Sequence, residues 1–285
     1  MCAVNKKNNG DIDYDVSYCI LSYNKIEFTK KCLTTLIATK FPQDIEIIIV
    51  DNNSKDGSRE WLYEFQHKYS SQHISIVLVF NTRNYGCTGG RNQACSMARG
   101  EYIFLLDNDL EFTDTLWSEK MLRFYQTYPS IGILGPKLLF SNKPNLIQHA
   151  GFGVTKEGKL SYWGYGMDRY NEKFMKVREV QGTAAACWLL KRSLFEEVGY
   201  FDNIYYPVNF EDADFCYRIR SKGYKVVSYP EVELYHSDHA TTKNSEDLNY
   251  IRGVIKNGNV FRERWRHKYE MEDGMNDHDY TWELK

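Results

Sequence analysis

Two aspartates with one residue between them, Asp107 and Asp109, directly follow the apolar run YIFLL at positions 102–106. Such a run is typical of a strand buried on both faces. Because residues i and i+2 of an extended chain point the same way, the two carboxylates can offer oxygens to one hard cation such as Mg²⁺ or Mn²⁺. The alternative is a solvated turn in which Asp109 caps a following helix.

A second acidic group, Glu211, Asp212 and Asp214, lies in the segment FEDADF. Three carboxylates this close together could include a catalytic group. Alternatively, a helix over residues 211–220 would place Glu211, Asp214 and Arg218 at spacings that form side-chain pairs. For Asp214 we prefer this structural interpretation.

The chain before Asp107 alternates apolar runs with amphipathic segments, which predicts strands and helices in turn. The predicted strands are VSYCILSYN, DIEIIIVDNNS, ISIVLVFN and YIFLLDND, and the segments between them are the helices IEFTKKCLTTLIATK and DGSREWLYEFQHKY and the glycine-rich loop and short helix YGCTGGRNQACSMARG. This alternation indicates an α/β fold with a parallel sheet covered on both sides.

Polar residues end each of the four predicted strands: 23–24, 51–53, 81–84 and 107–109. Ligands of open α/β sheets bind at the carboxyl ends of the strands. We therefore expect the four clusters to meet at one edge of the sheet.

The pattern is less regular after residue 130. It predicts a strand with a Gly-Pro break, a glycine- and tyrosine-rich hairpin, a strand leading into a helix, a second helix and a short strand: IGILGPKLLF, HAGFGVTKEGKLSYWGYGM, VQGTAAACWLLKRSLFEEVG, FEDADFCYRIRSKGY and KVVSYP. From about residue 244, the tail contains a basic amphipathic segment that suits contact with a partner or a membrane surface. The favoured alternative is a helix that packs its aromatic side on the domain.

The 285 residues carry a net charge of −2, which gives no basic field for nucleic acid. The cysteine count is odd, without a C-x-x-C pair, and indicates reduced thiols rather than a disulfide framework or a zinc site: Cys2, Cys19, Cys32, Cys87, Cys95, Cys187 and Cys216. The polar start lacks a signal-like region, and no apolar run approaches membrane-spanning length. These features predict a cytoplasmic protein, with the tail as the candidate for peripheral contact at the inner face of the membrane.

Four of these segments, VSYCILSYN, IIIVDNNSKDGS, NTRNYGCTGGRN and FLLDNDLEF, resemble in order and spacing the inverting family-2 glycosyltransferases with the GT-A fold. The segment NFEDADFCYRIRSKGYKVVSYPEVELYH resembles the acceptor-side half of that family. The resemblance covers roughly residues 16–240 and is nearest to the bacterial rhamnosyltransferase-like branch that builds surface polysaccharides.

This resemblance implies one mixed, mainly parallel sheet between helices. It divides the chain into a polar tail (1–14), a glycosyltransferase domain (15–240) and a C-terminal helical tail (241–285). Within the domain, residues 15–112 would bind the nucleotide-sugar and residues 113–240 would form the acceptor-side half.

The resemblance also implies roles for individual residues. Asp51 would accept a hydrogen bond from a pyrimidine N–H, the alternative being a helix cap near Ser54–Ser58. Glycine lets a backbone approach a ligand closely, and anions are favoured at the start of a helix. The residues expected to bind the nucleotide-sugar are Ser22, Tyr23, Asp51, Arg83, Asn84, Gly86, Arg91, Asp107 and Asn108.

Asp107 and Asp109 match the D-x-D of the family and would bind Mn²⁺ or Mg²⁺, with His236 as third ligand or as a structural histidine. Asp212 would be the base that takes the proton of the acceptor hydroxyl, and Glu211 would hydrogen-bond the acceptor or its loop. Trp188, Trp163, Tyr162 and Tyr165 are candidates for stacking on sugar rings, with core packing as the alternative.

The expected activity is therefore metal-dependent transfer of a sugar, with inversion, from a UDP- or dTDP-linked donor to a glycan, a lipid-linked glycan or a protein. Asn52 stands where many members of the family have a second acid, which leaves the nucleotide open. The alternatives are a sugar-nucleotide pyrophosphorylase, whose characteristic N-terminal glycine loop is missing, and a GT-A-like scaffold without turnover. A homodimer is compatible with the sequence, which does not fix the oligomeric state.

Overall fold

The computed structural model of the protein describes residues 15–41, 44–237 and 248–272. The predicted polar tail, the C-terminal 13 residues and the neighbours of His236 considered as ligands, Asp238 and His239, lie outside these residues.

In the described part of the chain, twelve strands and seven α-helices form the secondary structure. The strands are β1 (Val16–Ser22), β2 (Ile45–Asp51), β3 (Ile74–Phe80), β4 (Tyr102–Asp107), β5 (Leu110–Glu111), β6 (Ile131–Phe140), β7 (Lys143–His149), β8 (Phe152–Val154), β9 (Leu160–Tyr162), β10 (Arg178–Val180), β11 (Cys187–Lys191) and β12 (Lys225–His236). The helices are α1 (Ile26–Ile37), α2 (Ser58–Tyr69), α3 (Gly86–Met97), α4 (Trp117–Thr127), α5 (Ser193–Val198), α6 (Glu211–Ser221) and α7 (Leu248–Tyr269).

One ten-stranded sheet forms the centre of the molecule. Its main order is β10-β12-β6-β11-β4-β1-β2-β3, with β7 beside β6 and β5 beside β12. β1 is parallel to β2 and β4, β2 is parallel to β3, and β6 is parallel to β12. β11 runs antiparallel between β4 and β6, so β4, β6 and β12 point the same way. The carboxyl ends of β1–β4 and of β12 therefore lie at one edge, as the sequence predicts for the first four.

Burial explains why the first half of the fold follows the sequence so closely. Every residue of β1 and β2 is buried, because helices cover both faces of a parallel sheet. β3 lies at the end of the sheet and is mostly half-buried. The predicted mixed, mainly parallel sheet between helices is confirmed.

Three local predictions need correction. The glycine-rich stretch is not a loop leading into a helix, because α3 begins at Gly86 and includes Gly89 and Gly90. A Cβ on Gly90 would lie 2.3 Å from Leu21 Cδ1, so this glycine allows α3 to pack closely on β1. The Gly-Pro pair at 135–136 does not break β6, and the short final strand continues to His236 with a register shift after Tyr229.

The C-terminal helix α7 packs its aromatic side against the rest of the molecule. Phe261, Trp265 and Tyr269 are buried together with Phe152 and Tyr217. This is the favoured alternative for the tail, whereas contact with a membrane remains a prediction. None of the helices in the described ranges has the length and apolar composition that crossing a bilayer requires.

Candidate active site

Asp107, Asp109 and His236 come together at the carboxyl edge of the sheet. Asp107 ends β4, and the chain then turns into β5, which pairs antiparallel with the end of β12. This pairing sets Leu110 opposite His236 and brings Asp109 beside it, although β11 and β6 separate β4 from β12 in the sheet. One ligand atom from each of the three side chains lies within 4.8 Å of the others.

The surroundings of His236 are compatible with a cation at this place. Its Nδ1 lies 2.7 Å from Gln148 Oε1, an oxygen that can only accept, so Nδ1 is the donor in this contact. Its Nε2 faces the buried Asp109 Oδ1 at 3.0 Å, a contact that is an ion pair when the ring is protonated. Either a proton on Nε2 or a bound cation makes this contact favourable. Two carboxylates and an imidazole are suitable ligands for a divalent cation such as Mn²⁺.

Arg91 links the two acidic clusters. Its Nη2 donates to Asp107 Oδ1 at 2.7 Å, and its Nη1 donates to Glu211 Oε1 at 2.8 Å. The guanidinium is buried, with 6% of the side chain exposed. Arg91 therefore holds two carboxylates in place, and its implied role as a ligand of the nucleotide-sugar remains a prediction.

Glu211 and Asp212 begin α6 on the other side of Arg91. Burial and the charge of Asp212 raise the pKa of Glu211 to about 7, although Arg91 opposes the rise. Burial also raises the pKa of Asp212, against hydrogen bonds from the Ala213 and Ala185 amides and the charge of Arg91. A carboxylate with a raised pKa is a stronger base than a free one, which suits proton abstraction near neutral pH.

The segment 183–186 connects the base to the metal ligands. The amide of Ala185 bonds the Asp212 carboxylate, and the carbonyl of Ala186 accepts from the Asp107 amide at 2.9 Å. The amide of Ala184 donates to His149 Nε2 at 2.8 Å. Burial lowers the pKa of His149 to about 3, so the ring is neutral and able to accept this bond.

The other strand ends meet as predicted, but Asp51 is not accessible. The Asp51 carboxylate is fully buried, and it accepts from Arg59 Nε at 2.7 Å and from the Ser54 amide at 3.0 Å. A hydrogen bond from Asp51 to a pyrimidine base is therefore not available in this conformation. The Ser54 contact is not a helix cap either, because α2 begins at Ser58 and its N-cap is Gly57. Of the other residues expected on this side, Tyr23 is half-buried and Arg83 and Asn84 are exposed.

Asparagine side chains beside Asp51 form a hydrogen-bonded cluster. Asn52 Nδ2 donates to Asn84 Oδ1 at 2.8 Å, and Asn81 Nδ2 donates to Asn52 Oδ1 at 3.1 Å. Ser22 Oγ lies 3.2 Å from Thr29 Oγ1, which also accepts from Asn108 Nδ2 at 2.7 Å. Ser22 and Asn108 are buried and both contact Thr29 beneath the carboxyl edge of the sheet.

Gly86 makes room for protein rather than for a ligand. Its φ is +72°, and a Cβ would lie 2.7 Å from the carbonyl oxygen of Pro207. The next amide, of Cys87, donates to that same carbonyl at 2.8 Å. The start of α3 is thereby fixed to the segment that precedes Glu211.

Trp188 is a core residue, which corrects its predicted contact with the acceptor. Its ring is fully buried, packs against Phe201 and Phe215, and donates from Nε1 to the Thr183 carbonyl at 3.2 Å. Trp163 is also buried, whereas Tyr162 and Tyr165 are 47% and 59% exposed.

Three residues that support the site were missed in the sequence. Gln148 orients His236, His149 holds the segment 183–186, and Arg59 neutralises Asp51. Gln148 and His149 are adjacent polar residues at the start of the predicted hairpin, which is a weak signal. Arg59 lies on a polar helix face, where nothing in the local pattern distinguishes it from a solvated side chain.

Known proteins resemble the chain in sequence and in fold. It is 37% identical over 178 residues to a poly(ribitol-phosphate) beta-glucosyltransferase of Bacillus spizizenii, covering 52% of this chain and 26% of that protein. The chain spans between 18% and 27% of the length of three curated relatives that it matches, this enzyme among them.

Two solved structures share the fold. A mannosyltransferase from Pyrobaculum calidifontis, solved with GDP-Man and Mn²⁺, is 17% identical with a TM-score of 0.64, over 92% of this chain and 70% of that one. TarS 1–349 of S. aureus, solved with UDP-GlcNAc, is 15% identical with a TM-score of 0.62, over 91% of this chain and 71% of that one.

The family model for glycosyl transferase family 2 matches residues 17–199, more than half of the chain. The match includes Asp107 and Asp109 and ends before Glu211, Asp212 and His236. With its GT-A fold and this match, the chain belongs to glycosyl transferase family 2.

Proposed function

We propose that the protein is an inverting, metal-dependent glycosyltransferase that moves a sugar from a nucleotide-diphospho-sugar to an acceptor hydroxyl. The observation that carries this proposal is the placement of two acidic centres on either side of Arg91. The Asp107–Asp109–His236 group suits a cation and a diphosphate, and Asp212 suits a base. Membership of glycosyl transferase family 2 supports the reaction class.

The donor would bind at the carboxyl edge of β1–β4. Tyr23, Arg83 and Asn84 are accessible there and are our candidates for contact with the base and ribose. We propose a UDP- or dTDP-linked sugar. The UDP-GlcNAc complex of the TarS fragment is consistent with a uridine donor, whereas the GDP-Man complex of the mannosyltransferase shows that the fold also accepts guanosine.

Asp107, Asp109 and His236 would hold Mn²⁺ or Mg²⁺. When bound, this cation would act as a Lewis acid that stabilises the negative charge of the departing diphosphate. Gln148 fixes the His236 ring so that Nε2 points at Asp109, and Arg91 orients Asp107.

Asp212 would accept the proton of the acceptor hydroxyl as its oxygen attacks the anomeric carbon. A bond forms between that oxygen and the anomeric carbon, and the bond from this carbon to the diphosphate oxygen breaks. The electron pair leaves with the nucleoside diphosphate. A single in-line displacement inverts the anomeric centre, so no covalent nucleophile is required. Glu211, held by Arg91, would orient the acceptor or its loop.

The acceptor would approach from the side of the β8–β9 hairpin. The half-exposed ring of Tyr162 lies edge-on to His149, with 5.4 Å between ring centroids, and His149 holds the segment that bonds Asp212. The exposed Tyr165 packs on Phe140, which is the register partner of His236. These two tyrosines replace Trp188 as our candidates for stacking on an acceptor sugar, be it free, lipid-linked or protein-linked.

The test is release of nucleoside diphosphate from a panel of UDP-, dTDP- and GDP-sugars, with Mn²⁺, Mg²⁺ or EDTA and with simple glycosides as acceptors. We expect release from one donor that stops in EDTA and is lost in Asp109→Ala. The matched control is Asp44→Ala, because Asp44 is an exposed acid before β2, at the opposite edge of the sheet. Release that EDTA and Asp109→Ala leave unchanged would contradict the proposal.

A further inference from the structure

The C-terminal helix α7 reaches the segment that leads into the candidate base. Asn257, which is fully buried, donates from Nδ2 to the carbonyl of Tyr205 at 2.6 Å and to that of Val208 at 2.9 Å. The carbonyl of Asn209 lies 3.4 Å from the same nitrogen. One amide group of α7 therefore ties down the turn just before α6.

A second connection joins α7 to the first turn of α6 itself. Asp214, two residues after Asp212, is fully buried and accepts from Arg264 Nη1 at 2.9 Å and from Trp265 Nε1 at 2.9 Å. Tyr205 also donates to this carboxylate, at 3.0 Å. Arg218 binds the other oxygen at 2.9 Å, so Asp214 is a structural residue, as expected.

The backbone between these two connections is strained. Asn209 and Phe210 have φ values of +75° and +70°, and the left-handed conformation of a bulky residue such as phenylalanine is a true outlier. Such conformations persist only where the surroundings impose them. The ring of Phe210 packs on Phe261 of α7, with 5.6 Å between centroids.

We propose that α7 is a positioning element of the active site, in which Asn257, Arg264 and Trp265 set the place of Asp212 relative to Arg91 and the segment 183–186. They act through the carbonyls before α6 and through Asp214, and none of them touches the reacting atoms. This inference rests on the proposed role of Asp212. It concerns residues beyond the part of the chain that the family model matches.

The test compares Asn257→Ala and Trp265→Phe with the wild type in the full-length chain. Trp265→Phe removes the N–H that donates to Asp214 and keeps an aromatic ring in the core, so it is the variant of choice if Asn257→Ala folds poorly. The matched control is Asn259→Ala, because Asn259 is an exposed asparagine on the same helix. Binding of UDP and dTDP with Mn²⁺ is measured by calorimetry, and kcat is measured on the donor that the wild type turns over.

We expect kcat to fall at least about tenfold in both variants, while the number of nucleotide sites per chain and the nucleotide Kd stay unchanged. A merely structural role would lower kcat and the number of binding sites in the same proportion. That proportional loss, or a kcat equal to that of the wild type, would overturn the inference.

Hydrogen exchange separates failure of this inference from failure of the proposed function, because it needs no substrate. Peptides covering residues 203–216 should exchange faster in Asn257→Ala than in Asn259→Ala, with unchanged exchange in β1–β4. Equal exchange in the two variants would overturn the inference whatever the protein turns over. An inactive wild type that binds no nucleotide would instead contradict the proposed function.

Discussion

At the level of single residues, the site consists of carboxylates whose positions are set by an arginine and a histidine. Arg91 separates Asp107 from Glu211, and His236 faces Asp109. Each acid therefore has a distinct environment, and distinct environments give carboxylates distinct roles.

Replacing Asp212 by asparagine should remove the base without removing a contact to phosphate. We expect kcat to fall roughly 10²- to 10⁴-fold, the usual contribution of a general base, with nucleotide binding nearly unchanged. Single-turnover kinetics and calorimetry on the same preparation measure the two effects. Equal transfer rates for Asp212→Asn and the wild type would exclude Asp212 as the base.

Glu211 should make stability depend on pH in a predictable direction. Its pKa is about 7 in the folded protein, above the ordinary value of 4.5, so the folded state binds more protons between these values. The contribution of this group is fully present below pH 4.5 and is lost as pH rises through about 7. The melting temperature of the wild type, relative to Glu211→Gln, should therefore decrease between pH 5 and pH 8. A difference that is independent of pH would contradict the raised pKa.

How far the sequence predicts the site differs between residues. The D-x-D pair and His236 are indeed brought together, because strand ends and motif order place them on one edge. The role of Trp188 could not be predicted in the same way, because the sequence pattern around an aromatic residue is the same whether its ring lies in the core or in a cleft. The pairing of Arg91 with Glu211 joins residues 120 positions apart, which no local pattern reveals.

At the scale of elements, close backbone approach ties α3 to the turn before α6. Gly86→Ala should cost about 1–2 kcal/mol for the left-handed φ and about 1–3 kcal/mol more for the contact with Pro207. Gly223→Ala is the matched control, because Gly223 has φ +87° and nothing within 4 Å of an added Cβ. Denaturant unfolding of both variants gives the difference. If the two variants had equal free energies of unfolding, the turn at Pro207 would be able to move away from the added methyl group without loss of stability.

Elements were predictable where apolar runs determine the structure. Strands β1–β4 and helices α1 and α2 lie where periodicity places them, because the strands are buried and the helices pack an apolar side on the sheet. The second half was predicted less well, since β5, β7 and β10 are short or partly exposed and are fixed by pairing with distant strands. The length of β12 likewise depends on its partner β6 rather than on its own composition.

At the scale of the whole molecule, the fold brings four distant parts of the chain to one edge of a single sheet. The strands β1–β4 supply the side on which we place the donor, and β12 supplies His236. The first turn of α6 supplies the proposed base, and α7 holds the turn that precedes it. The proposed reaction needs all four at once, so the C-terminal helix belongs to the catalytic unit in this account.

The measurement that tests this account most directly is calorimetric titration of UDP, dTDP and GDP into the protein, with Mn²⁺ and with EDTA. We expect one nucleoside diphosphate to bind at one site per chain with Mn²⁺. EDTA or Asp109→Ala should weaken that binding at least about tenfold, whereas Asp44→Ala should leave it unchanged. Binding that is equally tight in EDTA and in Asp109→Ala, or no binding of any of the three nucleotides, would contradict the account.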